Sequence, residues 1–407
     1  MAWEKVRLGD VSTCIQTGPF GSQLHQSDYS ITGTPVVMPK DMIGGKIVEQ
    51  SIARVEEQHV NRLSRHKVDA GDILYSRRGD VGRCALVTEK EKGWLCGTGC
   101  LKVSIDLEKA NPKFVFYQLQ KPETIGWVVK HAVGATMLNL NTGILESVPV
   151  EMPELQEQNK IVDILSAYDD LIENNQKQIK LLEEAAQRLY KQWFIDLKFP
   201  GHETTKIVDG LPEGWKKRII SEVCETIGGG TPSTSKQEYY HNGKIPWATP
   251  TDLTKNDSLV LLDTEKKITE EGLKNSSAKL LPCNSILMTS RASIGYFAIC
   301  DFPVCTNQGF ISCIPYNSDM FYYLLFNLMC RVDEIKGKAT GSTFLEITRR
   351  EFRNMEIVVP SESLLKKFSK IIEPVVNKIR TVKKEIVGLT QSRDRLLPKL
   401  MNNEIEV

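Results

Sequence analysis

No run in this chain of 407 residues approaches the ~20 uncharged apolar residues that a membrane helix needs. The opening Met-Ala-Trp-Glu-Lys lacks the apolar stretch of a secretory signal, so a cytoplasmic protein with no membrane partner is expected. An excess of one charge is missing too: 52 Lys and Arg stand against 51 Asp and Glu, which excludes a uniformly basic coat for nucleic acid. Any DNA contact must come from local patches. The six histidines fall at no metal-ligand spacing. Ten cysteines are dilute in a chain this long. Cys96 and Cys100 are spaced C-x3-C and Cys300 and Cys305 C-x4-C, but neither pair has a second pair or histidines to complete a zinc site. Ordinary buried thiols are expected.

Catalytic signatures are also missing. Gly228-Gly229-Gly230-Thr231 resembles a phosphate cradle, but no Gly-Lys-Ser/Thr follows, which removes the P-loop reading. Asn111-Pro112-Lys113-Phe114 approaches the Asn-Pro-Pro-aromatic motif of adenine methyltransferases, yet it lacks the second proline and a preceding glycine-rich loop. Glu265-Lys266-Lys267 downstream of Asp252 fits only a loose nuclease pattern, and no Gly-x-Ser-x-Gly elbow occurs. The expectation is a non-catalytic chain without a cofactor.

What is present is a heptad seam that occurs twice. The first copy is Ile161, Leu165, Tyr168, Ile172, Asn175, Ile179, Leu182, Ala186, Leu189 and Trp193, in steps of four and three. Adding 207 gives Phe368, Ile372, Val375, Ile379, Val382, Ile386, Leu389, Arg393, Leu396 and Leu400, and of these only Arg393 is not apolar. Such a seam predicts two long helices packed antiparallel, each hiding the other's stripe. Asn175 has Val382 as its counterpart by repeat, so it reads as a register-setting amide with no polar partner. Pro374 removes an intrahelical donor and predicts a kink or a late helix start.

The repeat extends beyond the helices. Trp3 to Leu8 is echoed by Trp215 to Ile220, and Pro35 to Met42 by Pro246 to Leu253. Asp72 to Gly82 matches Ser285 to Gly295; its apolar start reads as a strand and its Arg-then-Gly end as a tight turn. Gly134 to Asn141 matches Gly341 to Thr348. Self-similarity on this scale fixes the architecture before any local motif does. The fold class expected is α/β (α+β) modules, two of them, separated by two long antiparallel coiled-coil helices in an internal pseudo-two-fold repeat. The boundaries are a first module over 1–152, a helix over 153–194, a linker rich in Pro and Gly over 195–212, a second module over 213–359 and a second helix over 360–407. A rod from Ile161 to Trp193 is roughly 50 Å long at ~1.5 Å per residue. That equals about 15 base pairs of duplex, a ruler between two DNA readers.

Several strings resemble the specificity (S) subunit family of type I restriction-modification systems. They are Leu211-Pro212-Glu213-Gly214-Trp215, Gly228 to Thr234, Ile245 to Pro250, Cys305 to Phe310, Glu157 to Val162, and Leu396 to Met401. The resemblance implies two target recognition domains, each reading half of a bipartite site in double-stranded DNA. It also implies helices that dock two methyltransferase subunits, with restriction subunits joining them. The copies are not identical: Glu157 and Gln158 correspond to Leu364 and Leu365, and Thr17 to Ser22 replaces the second module's Gly-Gly-Thr-Pro block, so the modules are expected to read different bases.

If the modules read DNA, their polar turns should offer donors to base edges and phosphates: arginine suits guanine, glutamine and asparagine suit adenine, and lysine mostly meets phosphate. The candidates are Lys40, Arg77, Arg78 and Arg83 in the first module and Thr249, Thr251, Lys255 and Arg291 in the second. Arg78 and Arg291 are equivalent. Lys130, Lys336, Lys338 and Thr343, near the later Gly turns, are candidate phosphate contacts. A protein-binding scaffold, or a self-contained divergent methyltransferase or nuclease, stays open as an alternative at this point.

Overall fold

The computed structural model describes residues 3–134, 137–341 and 344–407. The chain forms two units, one of residues 1–170 with 389–407 and the other of residues 171–388. Both boundaries fall inside long helices, Leu155–Tyr190 and Glu362–Met401, so each unit holds a stretch of both. No helix among the described residues is long and apolar enough to cross a membrane.

In the first unit, Ser12–Thr17, Cys100–Ile105, Ile73–Ser76 and Cys84–Leu86 lie side by side in that order, every pair antiparallel. Ile73–Ser76 is buried at all positions, as a short unbroken apolar run predicts. A smaller sheet sets Thr34–Val37 parallel to Leu95–Cys96 and antiparallel to Ala53–Val55. Glu4–Arg7 pairs with Pro149–Met152, the strand that feeds the first long helix. The helix Pro112–Leu119 starts with proline at its first position, and the Asn111 side chain caps it by accepting from the Lys113 and Phe114 amides.

The second unit is built with the same strand order. Cys224–Gly228, Phe310–Pro315, Ile286–Thr289 and Phe297–Ile299 form its main sheet, again antiparallel throughout. Ile245–Ala248 runs parallel to Cys305–Thr306 and antiparallel to Lys266–Ile268, and Lys216–Ile219 pairs with Glu356–Val359. In the first unit Leu101 faces Thr17 and Tyr75; in the second Ile311 faces Gly228 and Met288.

Every seam position is buried or half-buried. In the second unit the helix stretches run antiparallel, since Trp193 stacks near Phe368 (5.8 Å between ring centroids) while Asn175 reaches Glu385. Ile179, Ala186, Trp193, Phe368, Ile372, Ile379 and Val382 join the module's own core, with Leu182, Leu189, Val375 and Ile386 packed against it. In the first unit Arg393 meets Asp169 at 2.8 Å and Lys160 meets the Val407 carbonyl at 3.2 Å, the same antiparallel sense. Ile161, Leu165 and Leu400 belong to that unit's core, with Leu396 against it.

Three expectations are corrected. Asn175 does have a polar partner: it is half-buried and its Nδ2 donates to Glu385 Oε2 at 3.4 Å, because the long carboxylate side chain reaches across from a position off the seam. The second helix runs unbroken from Glu362 to Met401 through Pro374, so the proline delays no start. Its ring is exposed, and Ile372, Val375 and Val376 on either side are held by the core. Finally, not all thiols are buried: Cys14, Cys283 and Cys330 are exposed.

Candidate nucleic-acid interface

In the first unit the main chain gathers five loops at one end of the sheet. The Arg77 amide donates to the Gly99 carbonyl at 2.8 Å, and the Leu140 amide to the Arg77 carbonyl at 2.8 Å. Gly18 N donates to Cys100 O at 2.9 Å and Gly97 N to Val37 O at 2.9 Å. The packing is so close that a Cβ on Gly18 would stand 1.9 Å from the Gly97 carbonyl oxygen. Only glycine fits there. This convergence places Arg77, Arg78, Arg83 and Lys40 on neighbouring loops.

Their side chains are not equally available. The Arg77 guanidinium lies over the Phe20 ring, 5.4 Å from its centroid, and its Nε is buried with no hydrogen-bond partner. Arg78 is exposed, its backbone held by a bridge to Asn139. Arg83 is engaged twice, with Asp80 at 2.9 Å and with the Pro39 carbonyl at 3.1 Å, so it buttresses the turn. Lys40 is exposed and touches the Ser51 carbonyl at 3.3 Å. Lys130 projects from the helix Pro122–His131, whose Ile125 packs against Gly82 of the arginine turn.

The second unit repeats the convergence with different side chains. Ser290 N donates to Gly309 O at 2.8 Å, Ile347 N to Ser290 O at 3.0 Å and Gly230 N to Thr306 O at 2.8 Å. A Cβ on Gly229 would lie 2.0 Å from the Asn307 carbonyl oxygen, which explains the glycine block as close backbone approach. Arg291 is exposed beside Glu346, Nε to Oε2 3.6 Å, a pair too open to hold the arginine firmly. Thr249 caps the helix Pro250–Lys255 and its hydroxyl donates to Asp252 at 2.7 Å, while Thr251 is exposed. Lys255 pairs with Glu265 at 3.3 Å. Lys336 and Lys338 are exposed on and after the short helix Val332–Gly337. Thr343 lies outside the described residues.

Sequence reasoning missed Phe20, which aligns Arg77, and exposed Gln308, to which the Thr231 hydroxyl donates. Both sit inside strings already singled out, Thr17 to Ser22 and Cys305 to Phe310. Their roles need the fold, because their partners come from distant parts of the chain. Among the described residues no cluster of His, Cys, Asp or Glu is arranged to hold a metal ion. Burial pushes the Cys84 and Cys96 thiols up to about 12, which keeps them protonated and poor nucleophiles at neutral pH.

The type I restriction modification DNA specificity domain matches this chain twice, over residues 2–184 and 212–391. The chain is similar to the specificity subunit of the type I restriction enzyme MjaIX of Methanocaldococcus jannaschii, 27% identical over 388 residues, with 92% of this chain and 87% of the relative covered. It is also similar to the HindI specificity subunit of Haemophilus influenzae, 25% identical with 99% of each chain covered. Among solved structures, the type I restriction-modification S subunit from M. genitalium shares the fold, with a TM-score of 0.62 at 20% identity over 98% of this chain and 96% of that one. Two matches to one domain, taking in most of the sequence and falling on two sheets of one strand order, settle the kinship: this chain belongs to the type I restriction-modification DNA specificity family.

Proposed function

We propose that this chain is the address-reading subunit of a type I restriction-modification complex and is itself non-catalytic. Residues 1–152 and 213–359 act as two target recognition domains, each reading one half of a bipartite, asymmetric site in double-stranded DNA. The helices over 153–194 and 360–407 form an antiparallel coiled-coil pair, joined through the linker over 195–212, and set the spacing between the half-sites. Two methyltransferase subunits dock on the chain and restriction subunits join them, supplying the chemistry in the cytoplasm. The molecule is a pseudo-two-fold duplication.

The observation that carries this reading is the repeated arginine turn. Arg78 bridges Asn139 in one unit and Arg291 bridges Glu346 in the other, each two residues beyond the end of an equivalent buried strand. An exposed guanidinium on a turn fixed by main-chain bonds is suited to a bidentate contact with guanine. Arg77, Lys40, Thr251, Lys130, Lys336 and Lys338 surround the two turns as phosphate contacts, and Arg83, Lys255 and Thr249 support their loops. Thr343 joins the phosphate contacts by its place in the sequence.

The test is footprinting and gel shift of the chain assembled with its methyltransferase partner, on sites found by methylome sequencing. Arg78→Ala is expected to cost about 1–3 kcal/mol at one half-site, and Arg291→Ala the same at the other, each leaving the second half-site's preference intact. Losses spread equally over both half-sites would sink the two-reader model.

A further inference from the structure

Beside each arginine turn stands an apolar side chain that the cationic contacts leave unexplained. Met137 is 63% exposed and Phe344 58%, although both are large and apolar. They occupy matching places in two loops closed at the base by reciprocal main-chain bonds. Val133 and Asn139 exchange N–H···O contacts of 3.0 and 2.8 Å, and Thr340 and Glu346 contacts of 3.0 and 2.9 Å. At the start of each loop a glycine takes the left-handed region, Gly134 at φ 123° and Gly341 at φ 140°. A Cβ there would meet the carbonyl oxygen of Met137 at 2.3 Å or of Phe344 at 2.1 Å, so each glycine lies close against the backbone of the apolar residue. Both are also bonded to the arginine turns, through Gly79 N to Leu138 O at 3.0 Å and Ala292 N to Leu345 O at 2.9 Å.

A side chain of this kind needs something to cover it, and its surroundings indicate what. Exposed Arg78 and Lys130 lie on the elements flanking the first loop; on those flanking the second, exposed Arg291, Lys336 and Lys338 alternate with half-buried Glu346 and exposed Asp333 and Glu334. Exposed cations beside an apolar tip, an arginine on the adjoining turn in both units, complement a polyanion with an apolar interior, which is a stacked duplex. We infer that Met137 and Phe344 are wedges: each enters its half-site between two adjacent base pairs and partly unstacks them while the neighbouring arginine holds the groove. This rests on the reading of the chain as a DNA recognition subunit and adds a second source of specificity. Unstacking is least costly at flexible pyrimidine–purine steps, so each half-site is selected partly by its deformability.

The experiment uses the full chain with its methyltransferase partner on the methylome-defined duplex. It reads the bend by energy transfer between end labels and unstacked thymines by permanganate. Phe344→Ala should lower affinity about tenfold, reduce the end-to-end bend and abolish the reactive thymine in the second half-site, with reactivity in the first unchanged. Phe344→Leu should restore them, and Met137→Ala should mirror the effect in the first half-site. A wild-type complex that binds its site specifically while both alanine variants keep the same bend and reactivity overturns the wedge and leaves the reading function standing. Alanine variants that melt normally but no longer assemble with the methyltransferase assign the tips to a protein contact and also overturn it. Absence of specific binding by the wild-type complex instead overturns the reading function itself.

Discussion

Lys383 and Glu183 grip one stretch of the second unit from two helices. The Lys383 ammonium donates to Ser258 Oγ at 3.0 Å, to Val260 O at 2.9 Å and to Asn256 Oδ1, and pairs with Asp257 at 3.3 Å. Glu183 Oε1 accepts from the Leu259 amide at 2.6 Å. Burial raises the Glu183 pKa above its usual 4.5, against the opposing pull of the Leu259 N–H and Lys383, with Asp257 adding to the rise. A carboxyl whose folded pKa is raised contributes stability that is complete below the unfolded value and is lost as pH rises through the folded one. Glu183→Gln keeps an acceptor for Leu259 and carries no charge. Its melting temperature relative to wild type should therefore climb as pH rises from 4.5 toward neutrality; a constant difference across that range would show that burial of this carboxylate does not govern its energetics. Neither residue was visible as a site in the sequence, because each is an ordinary charged residue on a helix until Asn256–Val260 is folded against it. Arg83 and Lys255 illustrate the converse. Both read from the sequence as candidate DNA contacts, yet Asp80 and Glu265 engage them locally.

The elements were far more legible than their pairing. Four-three spacing identified both long helices, because burial along a helix imposes that period on side chains. The apolar runs ending in Arg-then-Gly likewise marked Ile73–Ser76 and Ile286–Thr289 as strands. Strand order was not readable, since Ser12–Thr17 lies against Cys100–Ile105 through contacts that leave no local periodicity. Nor was Glu385 as the partner of Asn175, which depends on how a long side chain bends across an interface. The helices' share in the core has a measurable size. Phe368 is fully buried, with ring centroids 5.0 Å from Phe194 and 5.8 Å from Trp193. Phe368→Ala should cost about 3–5 kcal/mol of unfolding free energy in urea titration, as expected for an aromatic removed from a packed core. A loss below ~1 kcal/mol would mean that the seam is only loosely joined to its module.

For the whole molecule, the proposal that the helices set the spacer has a direct consequence for the DNA site. Two heptads added to each helix in register contribute about 21 Å of rise, or about six base pairs of duplex. Methylome sequencing of cells carrying that variant should find the same half-sites separated by a spacer longer by about six pairs. An unchanged spacer would remove the ruler and leave the two recognition domains to find their half-sites by other means.

The division of the chain also bears on its manufacture. Residues 171–388 form the second unit without interruption, whereas the first unit needs residues 389–407 as well as 1–170. Leu400 and Met401 are fully buried in that first core, and Lys121 donates to the Met401 carbonyl. Domains usually close in the order in which the ribosome delivers them, the earliest first. Here the core of the half that emerges first receives its last members, Leu400 and Met401, only after the half behind it has been synthesised in full. Release of the C-terminus from the ribosome is therefore what completes the first module, although its sequence is made first.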